Sequence, residues 1–182
     1  MAIQNSKLID PEQQLFSVLD LVAFRLPNQY WWQGEDIGDE KYRGSYFGAF
    51  EQDQTKEGGI AVATITVVDA TKDATEPDVS ALDQADVQAI DDMLHHHTKS
   101  QLPMQGMELV RWMSSSLNQS ESMKGLVTAY IAQQDDREWQ NIVLRFNAKG
   151  RKVVVIGAFD IAKKDALAAP IFNVIRNMIV LD

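Results

Sequence analysis

The sequence predicts an α+β protein, a three-layer α/β/α sandwich in which one helix covers each face of a central antiparallel sheet. Residues 126–159 contain three short runs rich in β-branched and aromatic residues, separated by polar turns, which is typical of an antiparallel meander. The last run, residues 152–159, includes four consecutive apolar residues, as expected of a strand buried on both faces. Residues 81–97 and 170–180 place apolar side chains at helical spacing. These are the two helices that we expect on the sheet.

The N-terminal part begins with a helix signal and continues as a strand. Asp10 is a candidate N-cap, and Pro11 suits the first helical position. We therefore expect a short helix over residues 10–18, with residues 1–10 frayed before it. A strand is predicted over residues 21–26, and it ends where a proline follows.

Tyr30, Trp31 and Trp32 form the densest aromatic cluster of the chain. One interpretation is an exposed interaction surface, because Tyr and Trp are enriched at binding hot spots. The other is a plug at one end of the core, because large aromatic side chains dominate core burial. Burial is the favoured interpretation, and the cluster is kept as the candidate interaction surface. The acidic residues 35–40 that follow lack the spacing of a calcium loop and are expected to be a solvated loop.

Strands are predicted over residues 45–50 and 60–68, both rich in β-branched or aromatic residues. Residues 69–80 contain proline, aspartate and threonine without periodicity, which indicates an exposed crossing loop. Ser80 is then the candidate N-cap of the helix over residues 81–97.

All three histidines of the chain, His95, His96 and His97, lie near the end of this predicted helix. Consecutive helical residues point about 100° apart, so the three imidazoles cannot converge on one ion. No metal or cofactor is therefore predicted. Asp91 with His95, and the neighbouring Asp92 with His96, are better placed pairs at i,i+4 spacing. Weak surface metal binding or a modest pH response is the alternative role for the histidines.

A further strand is predicted over residues 107–114, followed by a serine-rich turn. No Gly-x-Ser-x-Gly motif surrounds these serines, so no catalytic nucleophile is predicted. Near the C-terminus Pro170 either kinks a helix or begins a new one. We expect a helical turn from Lys163, and then the main helix over residues 170–180.

The composition fits one domain of 182 residues. The net charge is -9, which argues against nucleic acid as a partner. Residues 1–100 contain 7 Lys+Arg and 18 Asp+Glu, whereas residues 101–182 contain 10 and 8. The chain has no cysteine, no apolar run long enough to span a bilayer and no secretory signal. We expect a cytoplasmic protein, or a periplasmic one if a signal peptide was trimmed.

Residues 22–27, VAFRLP, are followed by Tyr30-Trp31, and Gly150-Arg151-Lys152 precede the last strand and a terminal helix. With the order of elements over residues 16–180, these residues resemble the PsbP-like fold. That fold is shared by an extrinsic photosystem II subunit, a Ran-binding nuclear transport factor and many uncharacterised bacterial proteins. The resemblance implies a non-catalytic binding or assembly protein and carries over no catalytic residue.

Two function hypotheses follow. The first is a non-catalytic protein-interaction or assembly module, bacterial and of unknown process, that binds an unidentified protein partner and is not an enzyme. The alternative is a small-molecule binding protein or hydrolase with a pocket between sheet and helix.

Overall fold

The computed structural model describes residues 7–8, 15–27, 31–49, 61–120 and 123–181. The strands are β1 (Lys7–Leu8), β2 (Phe16–Val18), β3 (Val22–Phe24), β4 (Trp31–Gly38), β5 (Arg43–Ala49), β6 (Ala63–Asp69), β7 (Glu108–Gln119), β8 (Lys124–Gln134), β9 (Arg137–Ala148), β10 (Arg151–Asp160) and β11 (Ile179–Val180). The helices are α1 (Val87–Gln101) and α2 (Lys164–Arg176). Short 3-10 turns occupy Val79–Ala81, Leu102–Gln105 and Ile161–Lys163.

The strands form two antiparallel sheets. Eight strands pair in the order β1-β4-β5-β6-β10-β9-β8-β7, and a three-stranded sheet has the order β11-β3-β2. β10 lies between β6 and β9, and Val153, Val154 and Val155 in it are at most 4% exposed. The predicted antiparallel meander with a central, buried last strand is therefore confirmed.

Tight turns connect the strands of the meander. Lys149 and Gly150 join β9 to β10, and both have positive φ angles, 51° and 72°. Two successive positive φ angles are those of a type I′ turn, whose twist matches that of the flanking strands. Gly150 adopts this conformation without steric strain because it has no Cβ atom.

One face of the large sheet, which we call the helix face, packs against α2 and the three-stranded sheet. Cross-strand partners share a face of a sheet, and Ile65, Leu144 and Val155 lie together on this one. They form one core with Ile171 of α2 and Phe24 of β3. The second sheet therefore covers the large sheet beside the helix.

The opposite face, which we call the strap face, carries Val143 and Val154. Residues 70–82, here called the strap, cross it between β6 and α1. At the β7–β8 end, Leu94 of α1 packs on Leu126. The α+β class and the large antiparallel sheet are confirmed. The predicted covering of each face by one helix is not confirmed, because the three-stranded sheet lies beside α2 on the helix face and the strap lies beside α1 on the strap face.

The contact between α2 and β10 depends on a glycine. A Cβ atom at Gly157 would lie 2.7 Å from Cδ1 of Ile175 and 2.8 Å from Cγ2 of Ile171. Real Cβ atoms essentially never approach other atoms so closely, so the missing side chain lets the helix lie directly on the strand.

The predicted helix over residues 10–18 is wrong at its C-terminal end, and residues 10–14 lie outside the described part. Phe16–Val18 is a strand with a buried-exposed-buried pattern, and it pairs with β3. The helix-start signal at Asp10 therefore does not lead to a helix that includes Phe16. Strand β4 also includes part of the acidic stretch that was expected to be a loop.

Both helices differ from their predicted limits. α1 begins at Val87 because the side chains of Asp83 and Asp86 accept hydrogen bonds from Ala85 N and Asp83 N, 2.8 Å each, and hold a turn before it. α2 continues through Pro170 and ends at Arg176, so the separate helix over residues 170–180 was a wrong prediction. The chain instead returns to β3 as β11.

Candidate functional site

Of the predicted aromatic surface, Trp31 lies in the main core. Its side chain is 1% exposed and packs with Phe47 and the other residues of the helix-face core. Tyr30 and the side chain of Trp32 lie outside the described residues. Trp31 therefore has the structural role that was the favoured interpretation, and it offers no surface to a partner in this conformation.

His95 takes part in an aromatic stack. Its ring lies 4.9 Å from that of Trp112, nearly parallel, and Trp112 stacks in turn on Tyr130 at 5.9 Å. Trp112 Nε1 donates hydrogen bonds to both carboxylate oxygens of Asp91, at 3.0 and 3.1 Å. Asp91 and His95 thus both contact the indole.

Among the described residues, no group of three or more histidine, cysteine or acidic side chains is arranged to hold a metal ion. We interpret the stack of His95, Trp112 and Tyr130 as the packing of α1 against β7 and β8.

The strap is held to the sheet through Asp73. The Tyr42 hydroxyl donates a hydrogen bond to Asp73 Oδ2, and Asp73 Oδ1 accepts from the backbone nitrogen and hydroxyl of Thr75 at 2.9 and 2.8 Å. Asp73 is 2% exposed. The segment 69–80, which was predicted as an exposed crossing loop, thus contains a buried anchor.

These hydrogen bonds determine the ionisation of the two groups. Burial by itself would raise the pKa of Asp73, but the bonds from Tyr42 and Thr75 outweigh it and lower the pKa to about 2. Burial, followed by the hydrogen bond to Asp73, raises the pKa of Tyr42 well above its ordinary value. The carboxylate is therefore charged, and the phenol neutral, over the whole physiological range.

A second anchor joins the strap to β9 and β10. Arg145 Nε donates to Glu76 Oε2 at 2.8 Å, and the two side chains are 10% and 13% exposed. Lys152 Nζ donates to the carbonyl oxygens of Asp73 and Glu76 at 3.3 and 2.7 Å. Across the described part of the chain, every buried side-chain nitrogen and oxygen has a hydrogen-bond partner. The strap face is thus a closed, internally satisfied surface.

An open cavity of about 520 Å³ lies between α2 and the three-stranded sheet, and we call it the cleft. Such volumes are typical of ligand sites, which span about 300–1,000 Å³. The lining residues are Leu15, Phe24, Arg25, Pro27, Pro170, Asn173, Val174, Asn177 and Ile179.

Strand pairing and helix packing bring these distant residues together. Phe16 of β2 pairs with Phe24 of β3, and Ile179 of β11 pairs with Ala23 of β3. The three short strands therefore lie side by side, with β3 in the middle. The C-terminal half of α2 forms the opposite wall, where Asn177 N donates to Asn173 O at 3.0 Å and closes the helix. Residues 15–27 and 170–179 thereby form one concave site.

The floor of the cleft is apolar and its rim exposes more apolar surface. Phe24 and Val174 are 2% and 5% exposed, whereas Leu15 and Ile179 are 49% and 52% exposed. A concave apolar wall with a few convergent polar groups is the usual form of a binding site. Here the polar groups are two side-chain amides and one guanidinium.

Arg25 is the only charged residue among the nine that line the cleft. The described residues form three salt bridges, and Arg25 belongs to none of them. Among the described residues that line the cleft there is no serine, cysteine, histidine or carboxylate, so these residues supply neither a nucleophile nor a general acid or base. The arrangement is suited to binding.

Comparison with solved structures identifies the architecture. The fold is similar to the solution structure of cyanobacterial PsbP (CyanoP) from Synechocystis sp. PCC 6803, with a TM-score of 0.63 over 92% of this chain and 91% of that one. The chain has a PsbP-like fold. At 11% sequence identity, this likeness concerns the fold alone. No family model and no curated protein matches the sequence.

Within the described part of this PsbP-like chain, no helix is both long and apolar enough to cross a membrane. The sequence indicated the fold, and its alternative hypothesis included a pocket between sheet and helix, but it did not indicate the residues that line the cleft. Ile179 was assigned to a helix and Leu15 to another, whereas both border the small sheet. A possible signal was Arg25, a charged residue between two apolar ones in a predicted strand.

Proposed function

We propose that this protein is a non-catalytic protein-interaction or assembly module whose partner docks in the cleft. The observation that carries the proposal is the exposed apolar rim of the cleft, Leu15 and Ile179, around a concave floor. Grooves of this kind bind partners through one or a few inserted apolar side chains. The absence of catalytic side chains from the lining favours binding over chemistry.

Other large apolar side chains are also exposed, among them Met104, Val110 and Met113, but none of them is among the residues that line the cleft. On the strap face the buried polar groups are paired. The net charge of -9 disfavours nucleic acid as the partner. The cleft is therefore the surface on which we place the partner protein.

The test compares two substitutions of equally exposed residues. Ile179 is 52% exposed and lines the cleft, whereas Phe172 of α2 is 51% exposed and is not among the lining residues. Tagged wild type, Ile179→Glu and Phe172→Glu are used as baits in source-cell lysate, with quantitative mass spectrometry. We expect the wild type to recover one stoichiometric partner. Its recovery should fall at least about fivefold with Ile179→Glu and not with Phe172→Glu, because a carboxylate in the apolar rim would have to give up its hydration for the partner to bind.

Circular dichroism spectra of the two variants must match the wild type for this comparison to be valid. Equal recovery of the partner by all three baits would place docking outside the cleft. Equal loss with both variants would point to a general surface effect, which also contradicts the proposal.

A small ligand in the cleft is the second candidate, and the volume of about 520 Å³ favours it. The measurement is a thermal-shift screen of metabolites on the wild type and Ile179→Glu. A ligand at about 100 times its Kd stabilises the folded state by about 2.7 kcal/mol. Stabilisation of the wild type only, in a protein without a captured partner, would replace the interaction role with a ligand-binding one.

A further inference from the structure

The cleft differs in charge from the protein that contains it. The whole chain carries a net charge of -9, whereas Arg25 is the one charged residue among the described residues that line the cleft. Its guanidinium belongs to none of the salt bridges found in the described residues. Arg43, Arg111 and Arg176 also belong to none of these salt bridges, but among the described arginines only Arg25 lines the cleft. The charge at the cleft is thus left available at the point where apolar surface is exposed.

We propose that Arg25 is a specificity-determining residue that makes the cleft select a partner segment with a carboxylate beside an apolar side chain. This inference rests on the proposed function, and it adds the chemistry of the bound segment. The apolar side chain enters between Leu15 and Ile179, and the carboxylate of an Asp or Glu, or of a chain terminus, binds the guanidinium.

Guanidinium geometry favours this choice of anion. Arginine presents a planar fork of donors that matches a carboxylate with two parallel hydrogen bonds. The screening length at physiological ionic strength is about 8 Å, so a charge in contact with Arg25 acts more strongly than the distant acidic surface. The acidic surface then opposes a strongly acidic partner, which favours one local carboxylate in an otherwise neutral or basic segment.

The side-chain amides of Asn173 and Asn177 complete the recognition. Each amide both donates and accepts hydrogen bonds, and both residues line the wall opposite Arg25. Backbone groups of an extended peptide require this dual capacity, because every peptide unit has one donor and one acceptor. The cleft therefore offers contacts for an apolar side chain, a carboxylate and a peptide backbone within one cavity.

The experiment is a selection from a displayed library of random heptapeptides on immobilised full-length wild type, Arg25→Gln, Arg25→Glu and Ile179→Glu. We expect the wild type to enrich peptides with Asp or Glu next to an aliphatic or aromatic residue. Arg25→Gln should remove the acidic preference, and Arg25→Glu should replace it with a preference for Lys or Arg. In wild-type titrations, replacing the acid of an enriched peptide by its amide should weaken binding about fivefold to tenfold, as for a partly exposed ion pair.

The outcomes separate this inference from the proposed function. One outcome would overturn the role of Arg25 while leaving the cleft as the docking site. In that outcome, wild type and Arg25→Glu enrich the same peptides, and Ile179→Glu does not enrich them. No enrichment over Ile179→Glu would overturn both. Stabilisation by dodecanoate of the wild type but not of Ile179→Glu, without peptide enrichment, would identify a small amphiphile as the occupant and also overturn both. Arg25→Gln, which introduces no new charge, keeps the test valid if Arg25→Glu fails to fold.

Discussion

The strap face and the cleft place arginines in opposite situations. Arg145 lies under the strap, where its ion pair with Glu76 is 2.8 Å long and nearly excluded from solvent. Arg25 lies in an open cleft and has no ion pair among the described residues. The first arrangement serves the fold, because burying an unpaired charge would be costly. The second leaves the guanidinium exposed to solvent, where an unpaired charge costs little and its donors stay accessible.

If the strap is a structural device, removing one member of its buried ion pair must be costly. We expect Glu76→Ala to lower the free energy of unfolding by about 3 kcal/mol, because Arg145 would remain buried without a partner. Urea unfolding followed by circular dichroism measures this. The matched control is Arg151→Ala, whose partner Asp69 is 11% exposed but still accepts hydrogen bonds from the backbone nitrogen and hydroxyl of Thr71. Because Asp69 keeps these partners and Arg151 itself is 51% exposed, this change should cost less than about 1 kcal/mol. Equal losses in both variants would contradict the distinction.

The wall of the cleft depends on how closely α2 approaches the sheet. A Cβ at Gly157 would lie 2.7 Å from Ile175 Cδ1, so we expect Gly157→Ala to cost about 2 kcal/mol through overpacking. At Gly38 nothing lies within 4 Å of the added Cβ, and Gly38→Ala should change stability by less than about 0.5 kcal/mol. Urea unfolding again gives the comparison. A neutral Gly157→Ala would mean that α2 can move freely on β10.

The strap face also has a pH signature. The pKa of Asp73 is about 2 in the folded protein, below the ordinary value of about 3.9 in an unfolded chain. A lowered folded pKa contributes stability that is fully present above about pH 4 and is lost as the pH falls towards 2. We expect this contribution, about 2 kcal/mol, to be absent from Asp73→Asn.

Denaturant titrations of the wild type and Asp73→Asn between pH 2 and pH 6 test this. The stability difference between the two proteins should shrink as the pH falls below 4. A constant difference across that range would show that the Asp73 carboxylate is not held in its charged form by Tyr42 and Thr75.

The two regions also differ in how much the sequence revealed. The meander of β8, β9 and β10 was predictable because its turn residue Gly150 and its strand patterns are local signals. The strap was not, since Asp73 pairs with Tyr42 at a separation of 31 residues and Glu76 with Arg145 at 69. Composition alone made that polar segment resemble a solvated loop.

The cleft was hidden for a similar reason. It joins residues 15–27 to residues 170–179, and their contact depends on β2 and β11, strands of three and two residues. Strands of two or three residues are too short to show a period-2 pattern in the sequence. Their extended conformation depends on pairing with β3, which is a tertiary contact. The apolar residues Leu15 and Ile179 were therefore assigned to helices, and their exposure followed only from the folded arrangement.

The prediction with the smallest expected change in stability separates a role of Ile179 in folding from a role in binding. Ile179→Glu and Phe172→Glu alter side chains that are 52% and 51% exposed, so each should change the free energy of unfolding by less than about 1 kcal/mol, as is usual at exposed positions. Urea unfolding of the two variants beside the wild type measures this. A large loss with Ile179→Glu would mean that this side chain supports the β11–β3 pairing, and its effect on binding would then report folding. Small losses in both, together with the selective loss of partner by Ile179→Glu, would show that the Ile179 side chain acts in binding and contributes little to stability, in contrast to the ion-paired Glu76 of the strap.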